Sequence, residues 1–128
     1  MLNSTAMLLQ QYGSYANPAS KIGRLVKNGE LIPVIRGLYE TDRSVPGHCL
    51  AGIIYGPSYL SFEFALAWHD FIPEAVYVFT SATFGKKKKK RHETPFGVFT
   101  YRDVPSTAFP YGTRLHEENG YGFAMATP

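Results

Sequence analysis

The feature that most constrains this chain is a change in its hydrophobic period. Outside residues 31–40, apolar residues up to about residue 71 recur at helical spacing, and from Ala75 onward they alternate with a period of two. Such a chain must combine helices with a sheet whose strands lie late in the sequence. Residues 2–12 read as a short helix ended by Gly13. A second helix start is clearer. Asn17 can cap, Pro18 sits where a missing N–H costs nothing, and Gly29 supplies the stop. Ile22, Leu25 and Val26 give this helix one apolar face, while Lys21, Arg24 and Lys27 recur three apart on a broad polar side.

A β-hairpin is predicted over residues 31–40, with Arg36-Gly37 at its turn. Pro33 cannot donate to a ladder, so its strand belongs at an edge. The polar stretch 41–44 marks a boundary between an N-terminal unit, 1–43, and a main domain, 44–128. The main domain is expected to open with a helix over about 46–55, stopped by Gly56-Pro57. Ser61 can cap a following helix, 62–71, whose apolar residues surround so much of its circumference that it reads as centrally buried. Strands are predicted over 75–80, 96–102 and 123–126. The first two would form a long hairpin. The predicted fold is therefore α+β: a reduced winged helix-turn-helix, then helices packed on an antiparallel sheet.

Charge is unevenly laid out. Six of the 13 Lys and Arg residues form one run, Lys86, Lys87, Lys88, Lys89, Lys90 and Arg91, and the remainder carries more acid than base. That pattern implies a localised anionic partner rather than a basic surface. Cys49 stands alone among cysteines, so no intrachain disulfide and no Cys-based zinc site is expected. No segment approaches the roughly 18 apolar residues of a membrane span, and the N-terminus lacks a signal-peptide pattern. The expectation is a cytoplasmic protein with no membrane partner.

Three groups of residues bear on chemistry. The helix carrying Ser20, Lys21, Arg24 and Lys27, followed by a hairpin tipped by Arg36, has the order of a winged helix-turn-helix, with the helix in the major groove and Arg36 at phosphate or minor groove. The alternative is a solvated helix beside a structural hairpin. A complete winged helix-turn-helix has three helices before its wing, and here there is room for two. The lysine run is the second group. If all six cations met phosphates, log K would fall with log salt at a slope of about −5; alternatively the run is a solvated loop that blunts a hairpin against edge pairing. No aromatic residue interrupts it, which disfavours base stacking. The third group is His69-Asp70 with Glu74 and His48, His92 or His116, which matches no metal or acid–base motif. No glycine-rich phosphate loop is present, and Ser58, Ser61 and Ser106 lack a nucleophile elbow. No catalytic residue, metal or cofactor is expected.

The order Leu25…Gly29…Leu31…Arg36-Gly37-Leu38-Tyr39, then Pro57-Ser58-Tyr59-Leu60-Ser61-Phe62-Glu63-Phe64-Ala65-Leu66, resembles the AbiEi antitoxin family. So do Ile72-Pro73-Glu74, the basic run before Thr94-Pro95-Phe96-Gly97, Phe99-Thr100-Tyr101-Arg102, and the closing Ala126-Thr127-Pro128. The resemblance covers roughly residues 20–128. It implies an N-terminal winged helix-turn-helix that binds operator DNA, with contacts at Ser20, Lys21, Arg24, Lys27 and Arg36, and a larger antitoxin domain. It also implies a functional link to a nucleotidyltransferase-like toxin in abortive infection against phage. Relatives commonly continue past the closing tripeptide with a further helical part, so a missing C-terminal portion and a tendency to homo-oligomerise are expected. The expected function is antitoxin and transcriptional regulator. A protein-interaction antitoxin module without sequence-specific DNA reading is the first alternative, and an RNA-binding protein the second.

Overall fold

A computed structural model describes residues 1–73, 76–105 and 112–128. The candidate residues Glu74 and Ser106 lie outside them. The chain divides into two units, Met1–Ser44 and Val45–Pro128, in a mixed α+β fold.

In the first unit, β1 (Leu2–Ser4) leads into α1 (Thr5–Gln11). The residues expected to begin a helix are thus a strand, because they find a partner 36 residues on: Asn3 pairs with Tyr39. Ser4 then caps α1 by accepting from the Met7 N–H. Asn17 caps α2 (Pro18–Lys27) by accepting from the Ser20 N–H, and Pro18 occupies the first turn. After Gly29, at φ +80°, come β2 (Ile32–Ile35) and β3 (Leu38–Glu40). Gly37 turns between them at φ +87°, a conformation that favours glycine. The sheet order β1-β3-β2 leaves Pro33 on an edge strand, where its missing N–H costs no ladder bond. Leu8, Ile22, Leu25 and Leu31 form the core, joined by Tyr12, Val26 and Tyr39. Burying each such leucine or isoleucine contributes roughly 1.5–3 kcal/mol. The carboxylate of Glu40 is fully buried and accepts from the N–H groups of Thr41 and Asp42 and from the Met1 ammonium.

The second unit opens with a 3₁₀ turn, Gly47–Leu50, running into α3 (Ala51–Ile54). It continues through β4 (Tyr59–Leu60), α4 (Phe62–Trp68), β5 (Val78–Thr83), β6 (Lys90–Thr94), β7 (Gly97–Asp103), β8 (Thr113–Glu118) and β9 (Tyr121–Ala126). Its six strands are ordered β6-β7-β5-β4-β9-β8. The sheet is mixed rather than antiparallel, since β5 runs parallel to β7 and β4 parallel to β9. The long hairpin expected between residues 75–80 and 96–102 does not form. The chain leaves β5, passes the lysines and enters β6, which pairs antiparallel with β7; β7 then lies between them. An edge strand has water on one side, so a segment as charged as Lys90–Thr94 fits there.

Helix α4 also departs from expectation. It is seven residues long and not central: Phe64 and Ala65 are buried, whereas Leu66, Trp68 and the following Phe71 stand 41–60% exposed. Its start is capped from a distance. The Thr80 hydroxyl accepts from the Phe64 N–H and donates to the Ser61 carbonyl, while the Ser61 side chain makes no capping bond. Phe99, Tyr101, Ala82, Leu60 and Met125 are the most deeply buried apolar residues of this sheet. Phe79 stacks on Phe99 at 4.9 Å, and the Tyr101 hydroxyl donates to the Ala51 carbonyl. No helix among the described residues is long and apolar enough to cross a membrane.

Candidate nucleic-acid interface

Helix α2 sorts its residues by burial. Ile22 and Leu25 face the core, and Ser20, Arg24 and Lys27 are exposed. The spacing i, i+4, i+7 stacks these three on one face. Arg24 and Lys27 lie in the last turn, where cations complement the helix dipole. Lys21 is placed differently. It is half-buried, and its ammonium stands 5.8 Å from the Tyr12 ring and 5.4 Å from the Tyr15 ring. Those rings attract it towards the end of α1 and away from the Ser20–Arg24–Lys27 face. Arg36 is exposed at the β2–β3 turn. It also borders an apolar groove of about 510 Å³ whose walls are Leu9 of α1, Ala19, Ile22 and Val26 of α2, and Ile35 of the hairpin.

The lysine run is split by the fold. Lys86 donates to the Gly56 carbonyl at 3.0 Å and lies over the Tyr55 ring, and Lys90 approaches the same ring at 5.8 Å. Lys87, Lys88, Lys89 and Arg91 are exposed. The bend into the run is held by Asp103, which accepts from the backbone N–H groups of Lys87 and Lys86 and from the Thr83 hydroxyl. Those bonds, the Lys87 N–H first, hold the Asp103 carboxyl below the usual carboxylate range. Arg91 pairs with Glu93 at 3.2 Å, and Arg102 with Glu63 at 3.3 Å. Sequence reasoning passed over Glu63 and Arg102 as part of this basic region, because they join it only through pairing of β7 between β5 and β6. It passed over Asp103 for the same reason.

His69 bonds the Ala126 carbonyl at 2.8 Å, and His92 sits among Tyr55 and Tyr101 with its Nε2 buried and unpartnered. Burial, then the charge of Lys90, holds the His92 pKa down, so the ring favours its neutral form. His116 stacks on Phe123. His48 bonds Glu118 at 2.9 Å inside a ring of Phe64, Trp68, Phe79 and Phe123. With Cys49 these two form the one group of metal-ligating types among the described residues, their donor atoms within 4.8 Å of one another. The Cys49 thiol is pushed up to about 11 by burial and by Glu118, and it contacts the Glu118 carbonyl. A neutral thiol and a hydrogen-bonded His–Glu pair knit the 3₁₀ turn to the end of β8.

No family model matches the chain, and no curated protein matches it.

Proposed function

We propose that the chain is a DNA-associated antitoxin-type regulator of the AbiEi kind, reading operator DNA through its first unit and opposing a nucleotidyltransferase-like toxin. One observation carries the reading. Ser20, Arg24 and Lys27 share the exposed face of a capped helix, and a two-stranded hairpin tipped by Arg36 follows at once. Such a helix can lie in a major groove, its hydroxyl and guanidinium reaching base edges or phosphates and its lysine neutralising backbone charge. Lys21, drawn onto tyrosines, contributes charge to the surroundings rather than a direct contact. A gel-shift titration tests this. Duplex from the protein's own promoter should bind more tightly than random duplex, and Arg24→Ala should remove that preference. Equal binding of both duplexes sinks it.

A second reading, a protein-interaction module without sequence-specific DNA reading, draws on the apolar groove between α1, α2 and the hairpin. Two helices precede the hairpin, and the groove presents apolar surface where a binding partner's side chains could pack. Leu9→Glu in the groove separates the readings. Loss of toxin neutralisation, in a chain that binds its own promoter no better than random duplex, favours the interaction module.

A further inference from the structure

The second unit holds a cationic pocket that the first unit's reading does not use. A cavity of about 300 Å³ lies against the sheet, lined by Arg91 of β6, Thr100 and Arg102 of β7, Thr80 of β5, and Phe62 and Glu63 at the start of α4. The register explains the convergence. Arg91 pairs with Thr100 and Thr80 with Thr100, so the three share one face, and Arg102 follows on that face two residues later. Lys89 and Lys90 also border the cavity, the Lys90 ammonium lying towards Tyr55, so that three cations and the carboxylate of Glu63 share it.

The two arginines are held but not saturated. The Arg102 guanidinium lies 3.7 Å from the Phe62 ring centroid and reaches Glu63 through Nη2. Arg91 reaches Glu93 through Nη2 as well. A guanidinium offers five N–H donors in a planar fork matched to phosphate, so each has donors to spare after one such contact. Both pairs are about half exposed or more, and exposed pairs of this kind are weak enough for an anion to rearrange. Outside the cavity, exposed Lys87 and Lys88 continue the positive charge along the surface.

We propose that this pocket takes one phosphate of a nucleic-acid backbone, with Lys87 and Lys88 serving neighbouring phosphates of the same strand. Phosphate fits better than an acidic protein segment because the pocket is small and pairs two guanidinium forks with the Thr100 hydroxyl. Recognition is of backbone and not of bases, since the Phe62 face toward the pocket's arginine is already occupied by Arg102. The site belongs to the second unit and stands whether or not operator binding by the first does.

The test is fluorescence anisotropy of the whole chain with labelled dT12, a strand that carries no sequence to read. Arg91→Glu should weaken binding at least tenfold. It should also flatten the dependence of log K on log salt by about 0.7, one single-strand phosphate contact. Arg114→Glu, the same charge change on an exposed residue of β8, should alter affinity less than twofold. Arg102→Lys keeps the charge, loses the fork and should weaken binding severalfold, with circular dichroism melting confirming that all three variants fold. Inorganic phosphate should compete only at far higher concentration than unlabelled dT12. Equal losses from Arg91→Glu and Arg114→Glu, no loss from either, or equal displacement by a poly-glutamate peptide would overturn the proposal. An operator gel shift that fails leaves it standing.

Discussion

Residues 1–44 and 45–128 are built by different kinds of contact. In the first unit every strand pairing is antiparallel, and each element begins or ends at a residue that acts locally: Ser4, Asn17, Gly29, Gly37. In the second, two pairings are parallel and the cap of α4 comes from Thr80, 16 residues beyond the N–H it satisfies. Parallel strands require a crossover, and no short-range residue pattern announces one. The comparison teaches that local punctuation suffices where neighbours in sequence are neighbours in space, and fails where they are not.

The largest test of that contrast is Gly97→Ala. Gly97 sits at φ +128°, and an added Cβ would come within 2.6 Å of Phe79 Cε2, so both backbone and packing resist it. Strain and overpacking together should cost about 3 kcal/mol or more. Urea unfolding followed by Trp68, the chain's one tryptophan, should show it. A midpoint unchanged from wild type would mean that the β6–β7 turn is not packed as described. Next comes Leu8→Ala in the first unit, where the side chain is 2% exposed. It should cost about 2–4 kcal/mol. Amide exchange should quicken across residues 1–44 while the Trp68 transition stays where it was. A matching shift of both would erase the division into units.

Caps give a smaller and sharper test. Asn17→Ala should destabilise the first unit by about 1 kcal/mol. Ser61→Ala should be nearly silent, whereas Thr80→Val, which removes both bonds at the start of α4, should cost about 1–2 kcal/mol in the second. The reverse ranking of Ser61 and Thr80 would restore a local cap.

The smallest effect is a pH dependence, one in each unit. Asp42 is held below its ordinary value by the Ser44 hydroxyl and N–H, and Asp103 by the Lys87 N–H, the Thr83 hydroxyl and the Lys86 N–H. A carboxyl whose folded pKa is depressed stabilises above its unfolded value, about 3.9, and that contribution disappears as pH falls through the folded value. Acidification from pH 5 towards 2 should therefore loosen both, and Asp103→Asn should quicken exchange of the Lys86 and Lys87 amides already at pH 6. The Asp42 equivalent should disturb only Ser44. Equal, purely local effects would show that Asp103 does not tie the lysine segment to β7.

The candidate interface was legible to the same degree as the fold around it. The α2 face could be read from Asn17-Pro18 and the cation spacing, yet the sequence placed Lys21 with Arg24 and Lys27. Tyr12 and Tyr15 alone draw it aside, and their approach depends on how α1 ends. The lysine run was visible as charge. Its splitting, with Lys86 and Lys90 folded over Tyr55 and Arg91 aligned with Thr100 and Arg102, follows from strand order.

Taken alone, the sequence determined that helices and strands would coexist, where α2 starts and stops, that Pro33 belongs on an edge, and that a block of cations must meet water or an anion. These are consequences of φ preferences, hydrogen-bonding capacity and desolvation cost, properties a residue carries wherever it sits. Only the tertiary structure decided that β7 enters between β5 and β6, that Leu2–Ser4 is a strand, and which arginines share a pocket. Those outcomes depend on which distant backbone supplies the missing hydrogen bonds, and many distant segments could supply them until packing selects one.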